Sequence, residues 1–205
     1  YAGLRAIQGR SAEVSPLPSA RGLPEELRAL YPDTPPPPVD APLKVYHLGH
    51  SLVSRDMPAM LWQLAGEGHD YRSQLGWGAS ISQHLKGEDE IFGYAEENSH
   101  PRFQSLDEAL ADPEYDVLVF TEMIGLREAV LYHGSTAAVT RLVEAALAAN
   151  PNLAFALYET WHPLNEGDWL ARIPEVRDAL WEPALLVPAI RAGGAPVRII
   201  PAGTV

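Results

Sequence analysis

A serine hydroxyl attacks an acyl carbon when a base takes its proton and N–H donors meet the charge that develops. Ser51, in Leu48-Gly49-His50-Ser51-Leu52, has the setting for that role. It leaves a strand at a helix entrance, where amide N–H groups point outward. Gly49 allows a tight turn and a close approach by substrate. The same placement suits a serine that only caps a helix. A second set follows another strand: Glu159-Thr160-Trp161-His162 has carboxylate-x-x-histidine spacing. Ser51, His162 and Glu159 then offer nucleophile, base and orienting acceptor. Residues three apart in an extended segment face opposite ways, so this set requires a turn, which His162-Pro163 suits.

Other residues have narrower roles. His50 adjoins Ser51, and neighbouring side chains on extended backbone diverge. That makes His50 a lid or a substrate neighbour rather than the base. Glu122 ends another strand, in Thr121-Glu122-Met123-Ile124-Gly125. It either contacts substrate hydroxyls, becomes a protonated donor through burial, or pairs with Arg127. Trp161 and Trp169 either stack on sugar faces or pack beneath loops. His47 and His50 have metal-like spacing, but on a strand they diverge, so no metal is expected. His69, His84, His100 and His133 read as ordinary loop or surface residues. No glycine loop of dinucleotide or P-loop form occurs, and no cofactor is expected.

The elements that position these residues alternate. Strands are expected at 44–49, 71–75, 116–120, 153–158 and 197–201. Helices are expected at 55–65, 80–85, 106–110 and 136–149, with two short pieces at 176–181 and 184–190 broken by Pro183. Residues 87–103 read as an irregular surface excursion. The β-α alternation implies a parallel sheet with helices on both faces, and ligands at the carboxyl ends of its strands. Nine of the nineteen prolines precede Lys44. Residues 1–43 therefore read as a Pro-rich arm, a linker or wrapping strap with one short helix at 24–30, and 44–205 as the domain. An interaction role carried by that arm is a further reading.

The chain has 205 residues, 46% of them hydrophobic, which suits a folded domain. Its net charge of −12 argues against nucleic acid and anionic lipid as partners. No apolar run is long enough to span a membrane, and no signal peptide is visible. Cysteine is absent, which excludes disulfides and a thiol nucleophile. Compartment and oligomeric state stay open.

Three stretches carry a resemblance. Leu48-Gly49-His50-Ser51-Leu52 resembles the first block of the GDSL, or SGNH, hydrolases, usually Gly-Asp-Ser-Leu. Gln74-Leu75-Gly76-Trp77-Gly78-Ala79-Ser80 resembles the second, and Asp116 to Phe120 the strand leading to the third. The resemblance covers about residues 44–205. It implies a flavodoxin-like three-layer α/β/α fold with five parallel strands, and a serine esterase acting on a small-molecule or carbohydrate ester, acetyl esters included. It further implies Ser51 as nucleophile, with the Ser51 N–H and that of Gly78, or alternatively Gly76, as the oxyanion hole. The chain departs from the family in three places. His50 stands where the family has aspartate, and the third block lacks its asparagine. The Asp-x-x-His that supplies the base belongs beyond the last strand, so the domain reads as incomplete at Val205 and a chain of this length as a weak esterase. A catalytically incomplete module binding a saccharide or acyl ligand is the alternative.

Overall fold

The computed structural model describes residues 14–31, 41–161 and 168–203, with Trp169 described by its backbone alone. After α1 (Glu25–Arg28) come β1 (Lys44–His50), α2 (Asp56–Ala65), β2 (Asp70–Gly76) and α3 (Ile81–His84). A short 3-10 turn at Glu88–Glu90 precedes α4 (Tyr94–Asn98), α5 (Leu106–Leu110) and β3 (Val117–Phe120). Then follow α6 (Leu126–Tyr132), α7 (Ser135–Ala149), β4 (Ala154–Tyr158), α8 (Trp169–Val176), a π-helical stretch (Arg177–Leu186), α9 (Val187–Gly193) and β5 (Arg198–Ile200).

The five strands form one sheet in the order β2-β1-β3-β4-β5, every neighbouring pair parallel. This is the three-layer α/β/α, flavodoxin-like arrangement. Alternate residues of each strand face opposite layers. Tyr46, Leu48, Leu118, Phe120, Phe155 and Leu157 enter the main core, under helices α3, α5, α6, α7 and α9. Val53, Leu75, Val119, Ala156 and Tyr158 form a smaller cluster on the other face, where Met57 of α2 packs. The strands are apolar on both faces because both faces are covered. The order reverses at β1, between β2 and β3, which places a crevice at the carboxyl end of β1, where Ser51 follows.

Four sequence expectations change. Met60, Leu61 and Leu64 have helical spacing with Met57, yet they are exposed on α2. Residues 87–103 are built, not irregular, and they shield the edge strand β2. Asn98 Nδ2 donates to the Leu75 carbonyl at 2.9 Å, while its Oδ1 accepts the Leu75 N–H at 2.9 Å. One amide side chain thus does the work of a strand partner. Helix α6 has no counterpart in the sequence reading.

The fourth change concerns Pro183. Residues 169–193 run as one continuous helix rather than two pieces, with Pro183 inside its π-helical stretch. In an α-helix the proline ring collides with the carbonyl four residues back; the wider π turn relieves that collision. Trp181, Ala184, Leu185 and Leu186 of this stretch are buried, and their packing holds the helix together across the proline.

Residues 14–31 lie against the helical layer. Leu17, Leu23 and Leu27 pack on the main core, the Tyr31 hydroxyl donates to the Val197 carbonyl at 2.7 Å, and the Gly22 N–H donates to the Asp178 carbonyl at 2.7 Å. The proline run at 32–40 lies outside the described residues.

Candidate active site

Ser51 follows the last residue of β1 and is exposed. Helix α2 begins only at Asp56, so Ser51 opens a five-residue turn, 51–55, between β1 and α2. The His50 carbonyl closes that turn by accepting from the N–H groups of Val53 (2.9 Å) and Ser54 (3.2 Å). Ser54 takes a left-handed φ of 55°, uncommon for a residue with a side chain. The serine therefore caps no helix. Among the described residues, neither its hydroxyl nor its N–H is hydrogen-bonded.

Gly49 is required by packing. A Cβ there meets Val53 Cγ2 at 2.7 Å and Thr121 Cγ2 at 3.1 Å. The bare backbone lets the turn fold down onto the end of β3.

Gly76 and Gly78 differ. Gly76 is buried, pairs with His50 in the β1–β2 ladder, and has no room for a side chain because a Cβ lies 2.1 Å from Ile91 Cγ2. Gly78 is exposed at φ 58°, and its N–H has no acceptor among the described residues. Between them Trp77 is half exposed, its indole N–H held by Glu97 Oε1 at 2.7 Å. The sequence reading passed over Trp77; its place between two turn glycines was the available signal.

His50, expected as a lid or substrate neighbour, and Glu122, read as a substrate contact, a donor protonated through burial or a partner of Arg127, are 1% and 0% exposed. His50 turns inward. Its Nε2–H donates to the Glu122 carbonyl at 2.9 Å and its Nδ1 accepts the Leu52 N–H at 3.3 Å. Burial pushes its pKa down to about 4, so it is neutral at pH 7. The Glu122 side chain meets no arginine; Oε1 accepts the Met123 N–H at 2.8 Å. Burial pushes its pKa up to about 7 against the opposing pull of the Met123 N–H, Ser135 and the Ile81 N–H. Ser135 and Ile81 stand close enough to favour the charge without closing a hydrogen bond, and Oε2 has no partner among the described residues.

His84, read as a surface residue, is 3% exposed. Its Nε2–H donates to the Gly49 carbonyl at 3.0 Å, and its Nδ1 accepts from Gln74 Nε2 at 2.8 Å. Gln74 Oε1 accepts the Leu106 N–H at 2.8 Å. The signal was Gln74 and His84 flanking a glycine turn, which sequence alone does not distinguish from a solvated pair.

Glu159 is buried at the end of β4 and forms a two-pronged ion pair with Arg177 of the π-helical stretch. His162 lies outside the described residues. Trp161 is 37% exposed and lines a cavity of about 330 Å³ with Leu17, Met123, Ile124, Leu180 and Trp181 among its other walls. Ser51 does not line that cavity. Among the described residues no cluster of three or more His, Asp or Glu could hold a metal ion, and no helix is long and apolar enough to cross a membrane.

No protein family's profile matches the chain, and no curated protein matches it. Among solved structures it is similar to the crystal structure of phospholipase A1 from Streptomyces albidoflavus NA297, at 14% identity over 77% of this chain and 79% of that one, with a TM-score of 0.39. A likeness that loose carries no argument about the site.

Proposed function

We propose that this protein hydrolyses a carboxylic ester through Ser51. One observation carries the reading: an exposed serine at the carboxyl end of the first strand, its hydroxyl and N–H unengaged, with a second unengaged N–H on the turn after the neighbouring strand, at Gly78. Ser51 Oγ attacks the acyl carbon while a histidine takes its proton. The Ser51 and Gly78 N–H groups meet the developing oxyanion. The intermediate collapses, the alcohol leaves with the proton returned by the histidine, and water cleaves the acyl-enzyme by the same steps in reverse. No described histidine is hydrogen-bonded to Ser51. His162 is the in-chain substitute the sequence offers for that base, and Gly76 the alternative donor. A carbohydrate ester suits this reading, because the half-exposed indole of Trp77 stands between Gly76 and Gly78.

Hydrolysis of p-nitrophenyl acetate by the native chain and by Ser51→Ala tests the reading. Loss of all turnover above background in the variant supports it; equal rates overturn it.

The cavity beside Trp161 favours a second reading, a binding module for a saccharide or acyl ligand, because its walls exclude Ser51. Calorimetric titration of octanoate and of acetylated xylo-oligosaccharides, with native turnover absent and binding unchanged in Ser51→Ala, selects that reading.

A further inference from the structure

Two buried imidazoles contact the main chain on either side of Ser51, and nothing in the reaction scheme uses them. His84 reaches across from α3 to the carbonyl of Gly49, two residues before the serine, at 3.0 Å. His50 holds the N–H of Leu52, one residue after it, at 3.3 Å, and anchors itself on the Glu122 carbonyl at the end of β3, at 2.9 Å. Both partners dictate the same tautomer. A carbonyl only accepts, so each Nε2 carries the hydrogen. The Leu52 N–H and the Gln74 amide only donate, so each Nδ1 is bare. Gln74 is fixed in turn by the Leu106 N–H, which determines which way its amide faces.

We propose that His50 and His84 are positioning residues that grip the main chain before and after Ser51 and so set the direction of its hydroxyl and N–H. This rests on the reading of Ser51 as nucleophile only for its catalytic consequence; the grip itself is a property of the turn. The Nδ1 of His50 plays the part an aspartate or asparagine side chain plays when it accepts the N–H two residues on. A histidine at this position thereby makes that bond and gains a tether to β3 that a carboxylate, which only accepts, cannot make. His84 adds a second donor to the Gly49 carbonyl at the end of the β1–β2 ladder. The groups facing the pair are Gln74 from β2, the Gly49 and Glu122 carbonyls from the ends of β1 and β3, and the two imidazoles themselves.

The test uses the whole chain and four variants: His50→Leu, His50→Asp, His84→Leu and His84→Gln. Asp restores an acceptor for Leu52, and Gln restores a donor near the Nε2 position. Two-dimensional ¹⁵N NMR reads the tautomers, and amide exchange reads the Leu52 N–H. The expected result is Nε2–H signals for both histidines at pH 7 and a Leu52 amide that exchanges roughly tenfold faster in His50→Leu but near the native rate in His50→Asp. The kcat for p-nitrophenyl acetate falls about tenfold or more in both Leu variants with KM little changed, and recovers in part in Asp and Gln. Nδ1–H tautomers, or equal Leu52 exchange in native, His50→Leu and His50→Asp, overturn the proposal. If the native chain has no Ser51-dependent turnover, the esterase reading fails and the NMR result alone decides the grip.

Discussion

The imidazole of His84 donates to the carbonyl of Gly49 at 3.0 Å, joining the helix after β2 to the end of β1. The end of β1 and the helix after β2 are thus connected through a side chain as well as through the strand ladder that ends at His50 and Gly76. On the proposed mechanism, donors held on turns joined in this way need no rearrangement when charge develops.

Gly49→Ala is expected to destabilise the fold, because the added methyl meets Val53 and Thr121, both buried and both β-branched. Overpacking of this kind costs about 1–3 kcal/mol. For a chain of this size that lowers the melting midpoint by roughly 2–10 °C. A midpoint within 1 °C of native in a thermal melt contradicts the close packing at that turn.

Arg177→Met leaves the buried Glu159 carboxylate without its main cation and is expected to cost about 3–5 kcal/mol. The double variant with Glu159→Gln recovers part of that loss, since the uncompensated charge is gone. Urea denaturation of the single and double variants measures the coupling. No recovery in the double variant contradicts a pairing between the two side chains.

Stability is expected to depend on pH through four buried groups. Burial pushes His47, His50 and His84 down to about 4. Between pH 6.5 and 4 the unfolded chain therefore binds more protons at these positions, and stability falls as the pH is lowered. Glu122 opposes this. Its folded pKa is raised to about 7, so its contribution is fully present below its ordinary 4.5 and is lost as the pH rises to 7. Glu122→Gln removes that opposing term. Its stability relative to native should rise by ~3 kcal/mol between pH 4.5 and 7. Urea midpoints at both values decide it, and a flat difference contradicts a neutral, buried Glu122.

The parallel sheet was legible because Val117 to Phe120 and Ala154 to Tyr158 are apolar without alternation, as strands covered on both faces must be. The placement of Ser51, Gly78 and Trp161 at strand ends followed from the same pattern. The inward turn of His50 was not legible, and burial of Glu122 was one of three open readings: periodicity places a residue on a strand end but does not say which long-range partner its side chain will find. His84 was hidden for the same reason, because its partners Gln74 and Gly49 are 10 and 35 residues away. The continuous helix across Pro183 was missed because local sequence registers the lost N–H, while the buried packing of Trp181, Leu185 and Leu186 that overrides it is tertiary.

The central claim is that Ser51 is a nucleophile. Incubation of the whole chain with a fluorophosphonate, followed by intact-mass measurement and peptide mapping, tests it most directly. The account predicts a single phosphonyl adduct on Ser51, absent in Ser51→Ala and slowed in His84→Leu. No adduct, or one that maps to another serine and persists in Ser51→Ala, contradicts it.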